Sequence, residues 1–67
     1  MNMNWILTVE IDVGTFNVYA NNLTNARAAF AVFEDAPMSR KVQLHEQILD
    51  KKGRQTGELK LIKEITK

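Results

Sequence analysis

One stretch of helical period separates two blocks of strand-like alternation, and this limits the fold more than any other feature of the chain. From Asn22 to Pro37 the sequence reads NLTNARAAFAVFEDAP. Ala26, Ala29, Phe30 and Phe33 recur at the spacing that draws one apolar stripe along a helix. Ala31 and Val32 widen the stripe on one side and Ala28 on the other. The alanines favour helix strongly and let it sit close to a sheet, while Phe30 and Phe33 bring most of its apolar surface. Thr24 is the preferred N-cap, because its hydroxyl can accept from a free backbone N–H of the first turn, with Asn22 as the alternative. Leu23 and Ala28 would then form a weak hydrophobic staple. Pro37 stops the helix and pushes Ala36 towards an extended conformation. Glu34 and Asp35 stand in the last turn, where the helix dipole disfavours negative charge.

On the N-terminal side, Trp5 to Ala20 reads as a β-hairpin. Trp5, Leu7, Val9 and Ile11 alternate with Ile6, Thr8, Glu10 and Asp12, a period of two, in a run rich in β-branched and aromatic residues. A two-residue loop at Val13-Gly14 would set Ile11 opposite Phe16, Val9 opposite Val18 and Leu7 opposite Ala20. Every inward residue then meets an apolar partner, a match that a slip of one residue would destroy. On the other side of the helix, Lys41–Asp50 and Glu58–Thr66 read as a second hairpin. Its link, 51–57, is polar and carries two glycines, as a mobile tip should. The alternation breaks at Glu46 and at Lys63. Setting Glu46 opposite Lys63, Leu44 opposite Ile65 and Ile48 opposite Leu61 resolves both breaks with a cross-strand ion pair.

These elements predict one α+β domain over 1–67, a β-β-α-β-β two-layer sandwich. Its sheet would be antiparallel in the order 2-1-3-4, with the helix on one face; the order 2-1-4-3 is the alternative. A chain of 67 residues buries only about 60% of its unfolded surface, so packing or a partner subunit must supply part of its stability. One helix covers one face. The other face would collect Ile6, Thr8, Glu10, Tyr19, His45, Gln47, Leu49, Lys60, Ile62 and Glu64. Of these, Ile6, Tyr19, Leu49 and Ile62 are large and apolar or aromatic. Together with His45 they are the candidate interface, because a contiguous apolar patch marks an interaction surface. The expected partner is another protein, in the first place a second copy of the chain.

Composition narrows the function classes. Nine basic and eight acidic residues leave a net charge of +1, too balanced for a dedicated nucleic-acid binder. The chain has no cysteine and one histidine, so it offers no thiolate site and no histidine pair for a metal, and no metal or cofactor is expected. The absence of cysteine suits a reducing cytoplasm. Apolar runs are too short to span a membrane, and the N-terminal stretch lacks the basic region of a signal peptide. Asn22-Leu23-Thr24 matches the glycosylation pattern, a short motif expected here by chance.

Each remaining candidate site has a plainer reading beside it. His45 would need a nucleophile and an orienting group to act as a base; an exposed strand histidine is the simpler account. Glu10 and Asp12 lack a third ligand and read as a solvated pair. Arg27, Arg40 and Lys41 flank the helix ends and, with Tyr19 or Trp5, could hold a small anionic ligand such as a signalling nucleotide. The tip Lys51-Lys52-Gly53-Arg54 could touch phosphate or nucleic acid. No phosphate-binding glycine motif and no nucleophile elbow occurs, and no constellation of acid, base and nucleophile is visible, so the chain is read as non-enzymatic.

The Trp-led first strand, the helix NARAAFAVFED and the stretch VQLHEQILDKKGRQTGELKLIKEI together resemble small uncharacterised proteins of phages and mobile elements in Gram-positive bacteria. The resemblance implies an accessory or counter-defence role, exerted by binding a host protein or sequestering a signalling nucleotide.

Overall fold

A computed structural model describes residues 4–67. The elements run β1 (Trp5–Ile11), β2 (Gly14–Ala20), α1 (Leu23–Asp35), β3 (Ser39–Leu49) and β4 (Gln55–Thr66). They form a four-stranded antiparallel sheet in the order β2-β1-β3-β4. The helix packs on β3, β1 and β2, and β4 lies at the margin of its footprint.

The core is where the alternation places it. Leu7 and Val9 of β1, Ala20 of β2, Val42 and Leu44 of β3, and Ala26 and Phe30 of α1 make one buried cluster. Ala29 and Phe33 of the helical stripe pack against it, with Trp5, Ile11, Val18, Leu23 and Ile65. Phe33 also meets Phe16 edge to face, with ring centroids 5.6 Å apart, a geometry that adds to burial. The stripe is narrower than expected. Ala28, Ala31 and Val32 are exposed, because a single helix across a twisted sheet buries only the residues directly above it.

The helix begins two residues earlier than Thr24 would place it. Asn22 is the N-cap, and its side-chain oxygen accepts from the Asn25 N–H at 2.8 Å. Asparagine outranks threonine at this position, and choosing it dissolves the Leu23–Ala28 staple. At the other end Ala36 is extended, as the following proline requires. The buried Ser39 hydroxyl donates to the carbonyls of Phe33 and Ala36. Lys67 Nζ donates to the Ala36 carbonyl at 2.6 Å and to Ser39 Oγ at 3.0 Å. A cation just beyond the last strand thus sits at the helix C-terminus and offsets the unfavourable placement of Glu34 and Asp35.

Both hairpins form, each in a register other than the predicted one. In the first, the loop is Asp12-Val13. Ile11 faces Gly14, Val9 faces Phe16, Leu7 faces Val18 and Trp5 faces Ala20. The shift is two residues, so every side chain keeps its face, and Trp5 gains the small Ala20 as its partner. Neither loop residue has a positive φ; Gly14, at φ +154°, absorbs the distortion. Arg40 pairs with Asp12 across the loop.

The second hairpin departs further. Leu44 pairs with Lys63 and Val42 with Ile65, but His45 pairs with Leu61 and Glu46 with Lys60. A bulge between Leu44 and His45 therefore leaves Ile62 as an extra residue on β4. The predicted Glu46–Lys63 pair does not form. Lys63 lies instead with its Nζ 4.7 Å from the centre of the Phe30 ring, where cation–π attraction holds it. The tip is tightly built. Asp50 accepts from the N–H groups of Lys52 and Arg54, both at 2.9 Å, and ion-pairs with Arg54 Nε at 3.1 Å. Gly53 completes the turn with φ +79°.

Candidate binding face

The face of the sheet turned away from the helix is organised in rows that cross the strands. One row is Tyr19, Ile6, His45 and Leu61, each the cross-strand partner of the next. The following row is Asn17, Thr8, Gln43 and Glu64, and the last is Thr15, Glu10, Lys41 and Thr66. Towards the second hairpin tip, Gln47 pairs with Leu59. The face is thus divided into an apolar half and a polar half.

The middle of the polar half is paired within itself. Thr8 Oγ1 donates to Asn17 at 3.2 Å, the Gln43 amide donates to Glu64, and Lys41 Nζ stands 3.8 Å from the same carboxylate. The apolar half is partly open to water. Tyr19 is 54% exposed, Leu61 51% and Leu59 46%, around a nearly buried Ile6. Leaving three large side chains half in water forgoes about 25 cal/mol for each Å² of apolar surface left uncovered. His45 Nδ1 is buried and has no hydrogen-bond partner among the described residues.

Of the candidate interface residues, the structure brings Ile6, Tyr19 and His45 together in that row. Leu49 is half-buried and lies farther out, opposite Gln55. Ile62 is on the opposite side of the sheet, beside Phe30 and Arg27. The bulge is the reason: one extra residue reverses the facing of β4 beyond it. It also reverses Leu59, Leu61 and Lys60. Leu59 and Leu61, which strict alternation sets on the helix side with Ile65, therefore reach the open face, and Lys60 leaves it. A signal for this stood in the sequence. Leu61-Ile62 is an apolar doublet followed by Lys63 in the apolar phase, which is how a bulge reads in an alternating strand.

The candidate anion-binding residues are not assembled. Arg40 is paired with Asp12, and Lys41 faces Glu10 and Glu64. Asp12 carries its proton less readily than an ordinary carboxyl: the Arg40 hydrogen bond and then its charge hold the Asp12 pKa below 3.8. Arg27 lies in a different place, in a cleft beside the helix. In the basic tip, Asp50 engages Arg54 and the backbone, leaving Lys51 and Lys52 exposed. The backbone N–H of Arg54, followed by that of Lys52, lowers the Asp50 pKa against an opposing desolvation.

Among the described residues, no group of three or more acidic or histidine side chains stands close enough to hold a metal, and no helix is long and apolar enough to cross a membrane. No protein-family model, curated protein or solved structure matches the chain.

Proposed function

We propose that this chain is a small non-enzymatic binding protein that works through protein–protein contact, with a second copy of itself as the first partner. The observation behind this reading is the apolar row Tyr19–Ile6–His45–Leu61, continued by Leu59, on a sheet face that no described element covers. A two-fold axis near the middle of the row would lay Tyr19 of one copy over Leu61 of the other. This is the face-to-face packing by which sheets bury apolar surface, and it is isologous, as dimer interfaces of this symmetry are. Pairing through the free edge of β4 is the less favoured geometry, since its bulge and its lysines at positions 60 and 63 blunt that edge. The resemblance to small phage and mobile-element proteins supports placing this activity in the cytoplasm, in an accessory or counter-defence role.

Sedimentation velocity tests the reading. Wild-type protein is expected to run as a dimer at micromolar concentration, and Tyr19→Lys/Leu61→Lys as a folded monomer. Ile62→Glu, on the other side of the sheet, is expected to leave the dimer intact. A monomeric wild type, or a dimer indifferent to the double substitution, would contradict the proposal.

A further inference from the structure

The helix-covered side holds a second feature, independent of the dimer face. Because α1 sits over β1, β2 and β3, a gap opens between the helix and β4. It is a cleft of about 350 Å³ lined by Arg27, Phe30, Ala31, Glu34, Leu44, Ile62 and Lys63. That is within the range of about 300–1,000 Å³ usual for small-molecule sites. Its floor and walls are apolar: the buried Phe30 and Leu44, with Ala31 from the helix and Ile62 from the bulge.

The rim of the cleft is charged. Arg27 and Lys63 have no carboxylate within ion-pair distance among the described residues, and Glu34 has no cation within that distance. The rim therefore carries two unpaired cations against one unpaired acid. Lys63 lies over the Phe30 ring, a weak contact at an exposed site. An anion can take Lys63 from the ring at small cost, and the vacated face of Phe30 is a stacking surface for a flat ligand. Arg27 offers a planar fork that matches a carboxylate or phosphate.

We infer that this cleft binds a small organic anion with a flat apolar body, the body stacked on Phe30 between Ala31 and Ile62 and the anionic head between Arg27 and Lys63. The site uses Arg27 without Arg40 or Lys41, and it owes its outer wall to the bulge that turns Ile62 inward.

Three probes sharing one ring system test it: 1-naphthoate, 1-naphthyl phosphate and 1-naphthylmethylammonium, each titrated into the full chain and followed by backbone amide shifts. At least one of the two anions is expected to bind saturably, at least tenfold more tightly than the cation, with shifts centred on Phe30, Ala31 and Ile62. The tighter of the two anions identifies the head group. Arg27→Gln/Lys63→Gln is expected to weaken that binding at least tenfold. Ala31→Leu, which fills the cleft from an exposed helix position, is expected to abolish it while the spectrum stays folded. Equal binding of anion and cation, no saturable shifts with either anion, or binding unchanged in the folded Ala31→Leu protein would overturn the inference. None of these results bears on the dimer, which is read separately by sedimentation.

Discussion

The two hairpins are built from similar alternating sequence, yet one obeys the alternation and the other turns it over. In β1–β2 the observed register differs from the predicted one by two residues, and two is the period of a strand. Trp5, Leu7, Val9 and Ile11 therefore still face the helix, and Ile6, Thr8 and Glu10 still face away. In β3–β4 a single extra residue, Ile62, separates the part that obeys from the part that does not. Ile65 keeps its inward place, whereas Leu59 and Leu61 come to the surface. An error of two is silent, while an error of one exchanges core for interface. The candidate binding face is a product of that bulge as much as of the first hairpin.

The largest expected effect separates chemically identical leucines. Leu7 is fully buried in the first hairpin and Leu61 is half exposed in the second. Leu7→Ala should cost about 2–5 kcal/mol by chemical denaturation. Leu61→Ala should stay within about 0.5 kcal/mol for the monomer, measured at concentrations too low for association. Equal losses would place Leu61 in the core and remove the bulge. Next comes a pair of neighbours on β4. Leu61→Glu should weaken self-association at least tenfold, a difference of about 1.4 kcal/mol, while Ile62→Glu should leave it within twofold; sedimentation equilibrium reads both. Lys63→Ala removes the cation over Phe30 and should destabilise by about 0.5–1 kcal/mol, whereas Lys60→Ala, at a position over no aromatic ring among the described residues, should be close to neutral.

The smallest effect concerns the second hairpin tip. The Asp50 pKa is held below 3.8 by hydrogen bonds from Arg54 and Lys52. A depressed carboxyl contributes stability that is present above its unfolded value and is lost as pH falls through its folded value. The tip amides of Lys52 and Arg54 should therefore shift together in acid, with a midpoint below 3.8, and Asp50→Asn should abolish that transition.

Much of the fold was legible from period and connectivity. The helical stripe of Ala26, Ala29, Phe30 and Phe33 and the proline stop follow from them directly, and of the two strand orders they leave open the structure has the preferred 2-1-3-4. The site was legible only in its first half. Tyr19, Ile6 and His45 stand where a simple count puts them, because any even slip keeps their face. Leu59, Leu61 and Ile62 do not, since the break at Lys63 admitted two accounts. A salt bridge with Glu46 saves the alternation, and a bulge abandons it. The burial of Phe30 under Lys63 favours the bulge, and that contact joins residues 33 positions apart, which no local pattern reports. For the helix cap the sequence offers Thr24 first with Asn22 as the alternative, and the stronger acceptor, two residues earlier, is the one that caps.

The central claim is that the bulge delivers Leu59 and Leu61 to a face where a second copy covers them. The most direct measurement is an isotope-filtered nuclear Overhauser experiment on a mixture of labelled and unlabelled chains. Contacts between copies are predicted from the methyl groups of Leu61 and Leu59 to the Tyr19 ring, with none from Ile62 or the helix. Intermolecular contacts confined to the helix side or to the β4 edge, or none at a concentration where sedimentation shows a dimer, would contradict it.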